Sequence, residues 1–265
     1  MKNYFVAVIL LIVVSACKQK TETVVNEDYS EKVLDVTTSV YPENITKVFN
    51  AHGGIDLWNT FQTLEFTMKK DSGDEKTTTD LKDRRSLIET ETFAIGYTGK
   101  EVWLQNKGGN EYKGKPKFYY NLMFYFHAMP FVLADDGITY TNVEPLKAEG
   151  KEYPGIKISY GAGVGESPED EYILYYDTET NKMTWLGYTV TYFTKEKSTE
   201  WSFIKYADWQ TFNGIVLPTK LEWYKSEGFT IGERSNELLF SDIVLSKDKL
   251  EENVFSKPED AEVIE

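Results

Sequence analysis

Hydrophobic positions along the chain follow three different rhythms. Tyr4 to Val14 is an unbroken apolar run behind the short charged start Met1-Lys2-Asn3. At about 1.5 Å per residue a helix of that length reaches about 16 Å, roughly half of the ~30 Å hydrocarbon core, so the run reads as a signal-peptide core and not as a membrane span. After Pro42, the residues Ile45, Val48, Phe49 and His52 recur at i, i+3, i+4 and i+7. That spacing predicts a helix within 42–60, and Gly53-Gly54 ends its periodic face. Beyond Phe61 the period falls to two, because Leu64, Phe66 and Met68 alternate with Thr63, Glu65, Thr67 and Lys69 before the turn Ser72-Gly73-Asp74. This is the pattern of a half-buried strand entering a hairpin.

The strand rhythm continues at 76–81, 85–93, 102–106, 139–144, 156–160, 172–176, 183–194, 199–209, 216–224 and 237–245. The separators are short and carry turn chemistry, among them Lys107-Gly108-Gly109-Asn110 and Phe212-Asn213-Gly214. About eleven strands in succession with almost no helix between them predict a mainly β (α+β) protein built on a wide antiparallel meander. A sheet this wide must curl, and a curled sheet needs a filling for its concave face. Two segments can supply it, the 42–60 helix and Phe118–Leu133, in which only Asn121 and His127 are polar. A segment that is apolar all round is buried or binds something apolar. Pro130 and the shortness of the run exclude a transmembrane helix there.

The first rhythm supplies an address. Val14-Ser15-Ala16-Cys17 resembles a bacterial lipobox, in which a branched residue and two small ones precede a cysteine that receives a diacylglyceryl group, and Cys17 is the only cysteine of the chain. Residues 1–16 are then a lipoprotein signal peptide, Cys17 the lipid-attachment site, and 17–41 a polar tether to a single domain at 42–265. The expected location is the cell envelope, as an outer-membrane lipoprotein facing the periplasm or the cell surface. The membrane partner is reached through Cys17, since two or three acyl chains at about 0.8 kcal/mol per buried methylene anchor a protein without help from its surface.

Composition removes several alternatives. With a formal net charge of −14 and no basic cluster denser than Lys113-Gly114-Lys115-Pro116-Lys117, the chain is not expected to bind nucleic acid. One cysteine and two distant histidines exclude a disulfide framework and a thiolate or histidine metal cage, so no metal site and no cofactor is expected. There is no His-Glu-x-x-His, no Gly-x-Ser-x-Gly and no Walker loop. Gly161-Ala162-Gly163-Val164-Gly165 has the wrong spacing for a dinucleotide loop and reads as a hairpin tip, while Ser202-Phe203-Ile204-Lys205 lies in an alternating strand, where a Ser-x-x-Lys pair cannot share a face. The acidic stretch Glu166–Glu171 lacks the alternating oxygen ligands of a calcium loop. No catalytic residue is assigned, and the protein is not expected to be an enzyme.

Particular residues carry a family resemblance. Ala51-His52-Gly53-Gly54 followed by Trp58, Tyr176-Asp177 before a polar turn, Gly214-Ile215-Val216-Leu217-Pro218 opening a strand, and Val244-Leu245 followed by Phe255 and Pro258 resemble uncharacterised Gram-negative lipoproteins related to the LolA/LolB outer-membrane lipoprotein-sorting superfamily. The resemblance covers roughly residues 42–260 and implies a half-barrel of about eleven strands wrapped over one or two helices, enclosing an apolar cavity that accepts acyl chains. The first expectation is therefore an anchored envelope protein that binds or shuttles a hydrophobic small molecule, lipid or lipoprotein acyl chain. The alternative is a non-enzymatic interaction or assembly module with a filled interior and an envelope protein as partner. Apolar and aromatic side chains in predicted strands and in the 118–133 segment supply the candidate cavity wall, namely Phe66, Met68, Trp103, Phe124, Phe131, Trp185 and Trp201.

Overall fold

The computed structural model describes residues 41–160 and 170–265. The signal segment, Cys17, the tether up to residue 40 and the glycine-rich 161–165 stretch lie outside the described residues. The described chain starts with α1 (Glu43–Ala51) and the single turn α2 (Ile55–Trp58). Five strands follow: β1 (Thr63–Lys69), β2 (Glu75–Asp80), β3 (Ser86–Glu89), β4 (Phe93–Tyr97) and β5 (Val102–Asn106). A helical insertion comes next, with α3 (Pro116–Tyr119), α4 (Leu122–His127) and a 3₁₀ turn at Phe131–Ala134. The strands then resume with β6 (Ile138–Ala148), β7 (Lys151–Tyr160), β8 (Tyr172–Tyr176) and β9 (Met183–Tyr188). Three long strands, β10 (Ser202–Phe212), β11 (Ile215–Glu227) and β12 (Thr230–Ser246), precede a 3₁₀ turn at Glu252–Phe255 and the short β13 (Glu262–Val263).

Among the described residues these strands form one antiparallel sheet in the order β13-β5-β4-β3-β2-β1-β12-β11-β10-β9-β8-β7-β6. β13 and β6 are its edges, so the barrel is open. The sheet joins two meanders through the β1–β12 pairing, which brings Leu64 opposite Leu245 and Met68 opposite Phe240. Side chains alternate between its faces. The concave face carries Leu64, Phe66 and Met68 of β1, Ile156 and Ile158 of β7, Leu174 of β8 and Leu186 of β9, all buried against α1 and the helical insertion. On the opposite face, Trp185, Phe203 and Tyr175 form a smaller core with Leu146 and Tyr153. It is covered where β12 meets β6, and bulges at Val143–Leu146 and Trp223–Ser226 bend the strands toward that meeting.

The motifs that carried the resemblance touch one another. The His52 backbone carbonyl accepts the Val216 N–H at 2.9 Å, and the His52 side chain reaches the Val216 carbonyl at 3.2 Å. Gly53, at φ +109°, lies so close that a Cβ there would come within 2.4 Å of the Gly214 carbonyl oxygen. Glycine is required by both the backbone angle and the approach. The end of α1 is thus locked onto the start of β11.

Several boundaries differ from the sequence reading. The 42–60 helix is two helices, since Gly53 and Gly54 both adopt positive φ. The single strand expected at 85–93 is β3 and the entrance to β4, because the Thr90 hydroxyl accepts the N–H groups of Thr92 and Phe93 and turns the chain. The strand expected at 183–194 stops at Tyr188. There the carboxylate of Asp170 accepts the Thr191 N–H at 2.6 Å and its hydroxyl at 2.7 Å, and draws the backbone out of the ladder. β13, only two residues long, falls below any periodic signal.

Candidate functional site

The helical insertion fills the half-barrel. Met123, Phe124, Phe126, His127, Phe131, Val132 and Leu133 are all buried in the main core. Trp58 stacks on Phe131 at 4.5 Å between ring centroids, Phe66 and Phe240 each lie 4.4 Å from His127, and the Tyr206 hydroxyl donates to the Phe126 carbonyl at 2.9 Å. Phe66, Met68, Phe124 and Phe131 are therefore brought together, packed by the chain's own atoms. Trp103, Trp185 and Trp201 are not with them. Trp103 packs under Gly96 with Ala94 and Ala261, while Trp185 and Trp201 belong to the core on the other face. The reason is strand parity: Trp103 follows Val102 and precedes Leu104, which both face the insertion, and Trp185 precedes Leu186, which also faces it.

The outer side of the same insertion faces open space. Between it and the concave ends of β4, β7 and β8 lies a cleft of about 380 Å³. That is within the ~300–1,000 Å³ of small-molecule sites. Its apolar lining comes from Phe118, Leu122, Phe126 and Met129 of the insertion, and its other walls from Tyr97, Tyr120, Tyr125, Tyr160, Tyr172 and Tyr192. Tyr97 and Tyr120 pack at 4.8 Å and Tyr160 and Tyr172 at 6.0 Å, so the lining holds two tyrosine pairs. At the mouth, Phe118 packs on Tyr192 and Phe193, and Phe193 stays 63% exposed.

Two carboxylates and one amide interrupt this surface of rings and aliphatic side chains. Asp135 receives Arg84 at 2.7 Å; Asp170 holds Thr191; the Oδ1 of Asn121 is buried without a hydrogen-bond partner. Burial raises the Asp170 carboxyl above its ordinary value, opposed by the two Thr191 donors and by Lys195. Burial likewise raises Asp135, against the pull of Arg84. Burial pushes Tyr160 and Tyr172 above the usual phenol range, reinforced next by Tyr125 at Tyr160 and by the Asp170 carboxylate at Tyr172, so their hydroxyls stay neutral. The cleft can seat hydrocarbon among rings and offer acceptors to a polar end.

The chain is similar to several solved structures at low sequence identity. They include a DUF1329 family protein from Desulfovibrio piger (11% identity, 81% of this chain and 98% of that one, TM-score 0.48) and a LolA superfamily protein from Nitrosomonas europaea (9% identity, 74% and 88%, TM-score 0.43). A third is an outer membrane lipoprotein-sorting protein domain, described as putative, from Vibrio parahaemolyticus (10% identity, 74% and 88%, TM-score 0.41). No protein-family model and no curated protein matches the chain.

Both histidines are structural. His52 is fully buried, its Nδ1 faces the Val216 carbonyl, and its Nε2 accepts the Met183 N–H at 3.1 Å. That set of partners fixes the neutral tautomer with the proton on Nδ1, and burial lowers the pKa to about 4. His127 is equally buried, but neither ring nitrogen has a hydrogen-bond partner, and burial lowers it to about 3 against a weak effect of the Pro218 carbonyl. Lys205 pairs with Glu149.

Sequence reasoning missed the cleft tyrosines and both aspartates. A signal for them existed. Tyr160 lies in phase with Ile156 and Ile158, and Tyr172 in phase with Leu174, so both point to the concave face at strand ends where no aliphatic core is needed.

Proposed function

We propose that this protein is a lipid-anchored cell-envelope protein, held through Cys17, that binds the hydrocarbon part of a lipid or lipoprotein in the cleft between its helical insertion and the ends of β7 and β8. The observation that carries the reading is the cleft itself, an open, ring-lined volume beside a filled half-barrel. Eight methylenes seated there contribute about 6 kcal/mol before ordering costs, so no cofactor is needed for affinity. The ligand lies along the insertion instead of replacing it, because Phe124, Phe131 and Leu133 are already close-packed under it.

The filled interior favours a second reading, in which the exposed Phe193 and Tyr125 at the cleft mouth dock an envelope protein and no lipid is held. Native mass spectrometry of protein purified from a lipid-containing host separates the two. A stoichiometric lipid, released on denaturation and lost in Leu122→Arg, supports the binder. A ligand-free protein that also ignores added fatty alcohols overturns it in favour of docking.

A further inference from the structure

The cleft's lining is one-sided in its charge. Among the described residues no Lys, Arg or His lines it, whereas Asp135, Asp170 and the unpartnered Asn121 Oδ1 do. Arg84 neutralises Asp135, whereas both Thr191 donations to Asp170 end on Oδ1, and Lys195, which stabilises the Asp170 carboxylate from a distance, makes no ion pair with it among the described residues. Around these acceptors stand six tyrosine rings, whose faces attract cations through the ring quadrupole. The chain's own cations already use the outermost rings this way: Lys195 Nζ sits 4.2 Å from the Tyr192 centroid and the Arg84 guanidinium 5.8 Å from that of Tyr125. Among the described residues no cation lies over Tyr160 or Tyr172, the inner pair nearest in sequence to Asp170.

We propose that the cleft selects a cationic amphiphile, one whose ammonium group seats between Tyr160, Tyr172 and Asp170 while its hydrocarbon runs along Leu122, Phe126 and Met129. This deepens the hydrocarbon-binding reading and rests on it. An anionic head of the same length finds tyrosine hydroxyls and the Asn121 amide as donors, but it meets two carboxylates, ring faces that repel anions and a protein of net charge −14, with no cationic side chain among the described lining residues. The cation is discriminated by the rings and the carboxylate together, so the preference is expected to be about tenfold or more.

The test titrates the full chain, purified in a nonionic detergent, with octyltrimethylammonium and with octanoate by isothermal calorimetry, using Leu122→Arg to measure partition into the micelle. The expected result is octyltrimethylammonium bound at least about tenfold more tightly than octanoate. Asp170→Asn, which can still accept from Thr191, and Tyr172→Leu should each remove most of that preference, and Tyr172→Phe should keep it. Equal binding of both compounds, abolished by Leu122→Arg, leaves the hydrocarbon site standing and overturns the headgroup assignment. Signals no larger than those of Leu122→Arg for either compound overturn both readings. A preference that survives Asp170→Asn and Tyr172→Leu overturns the placement of the ammonium.

Discussion

His52 and His127 are equally buried yet should respond to substitution in opposite ways. His52→Leu strands two partners, the Met183 N–H and the Val216 carbonyl, inside the core where α1 meets β9 and β11. Each unpaired buried group costs about 1–3 kcal/mol, so the variant should lose about 2–6 kcal/mol at pH 7. His127→Leu breaks no hydrogen bond of normal geometry and loses only the attraction of the Pro218 carbonyl for the ring; it removes a polar ring without a full hydrogen bond and gives up ring contacts with Phe66 and Phe240 of comparable size. It should lie within about 1 kcal/mol of the parent. The second part of the prediction is its pH dependence. Both imidazoles have folded pKa values below the ordinary 6.5, about 4 for His52 and about 3 for His127. Below pH 6.5 the unfolded chain takes up a proton that the folded chain refuses, so the stability held above pH 6.5 drains away as pH falls toward 4 and then 3. Each histidine removes about 1.4 kcal/mol per pH unit once the unfolded form is fully protonated, or about 1 kcal/mol between pH 7 and 5.5. Carboxylate contributions are common to parent and variant and cancel in the difference. Urea unfolding followed by tryptophan fluorescence at pH 7 and 5.5, above the pI of 4.8, should show each variant gaining about 1 kcal/mol on the parent as pH drops. Two variants of equal stability at pH 7, or a difference between each variant and the parent that does not change with pH, would refute the reasoning.

Other predictions follow from packing. Gly96→Ala places a Cβ 2.2 Å from the Trp103 ring, within β4 and on the face away from the cleft, and should destabilise by about 1–3 kcal/mol in urea without changing ligand binding. Trp185→Ala opens a cavity at a fully buried ring and should cost about 3–5 kcal/mol while a fluorescent fatty alcohol still binds; loss of binding in a folded variant would return Trp185 to the site. Leu122→Arg, on the half-exposed side of α4, should leave circular dichroism and stability within about 1 kcal/mol of the parent and abolish fatty-alcohol binding. Retained binding would exclude the cleft.

The fold was largely legible because alternation is a local property that the sheet preserves. Leu64, Phe66 and Met68 announced both the strand and its buried face, and the apolar 118–133 segment announced a filler for the half-barrel. What escaped was set by distant partners. The end of β9 depends on Asp170 reaching Thr191, and the two-residue β13 exists only because Glu262 and Val263 find Leu104 and Trp103. The site was harder to read than the fold. Bulk and aromaticity drew the wall residues to Trp103, Trp185 and Trp201, whereas parity alone decides which face a strand residue takes. The cleft is instead built from tyrosines at strand ends, where a hydroxyl can remain near water.

The most direct test of the account is photocrosslinking of the full chain in membranes with a diazirine-bearing alkyl lipid, followed by peptide mapping. Adducts on Leu122, Phe126, Met129 or Tyr172, absent in Leu122→Arg, are the result predicted. Adducts confined to the face of Trp185 and Phe203, or labelling that Leu122→Arg leaves unchanged, would contradict it.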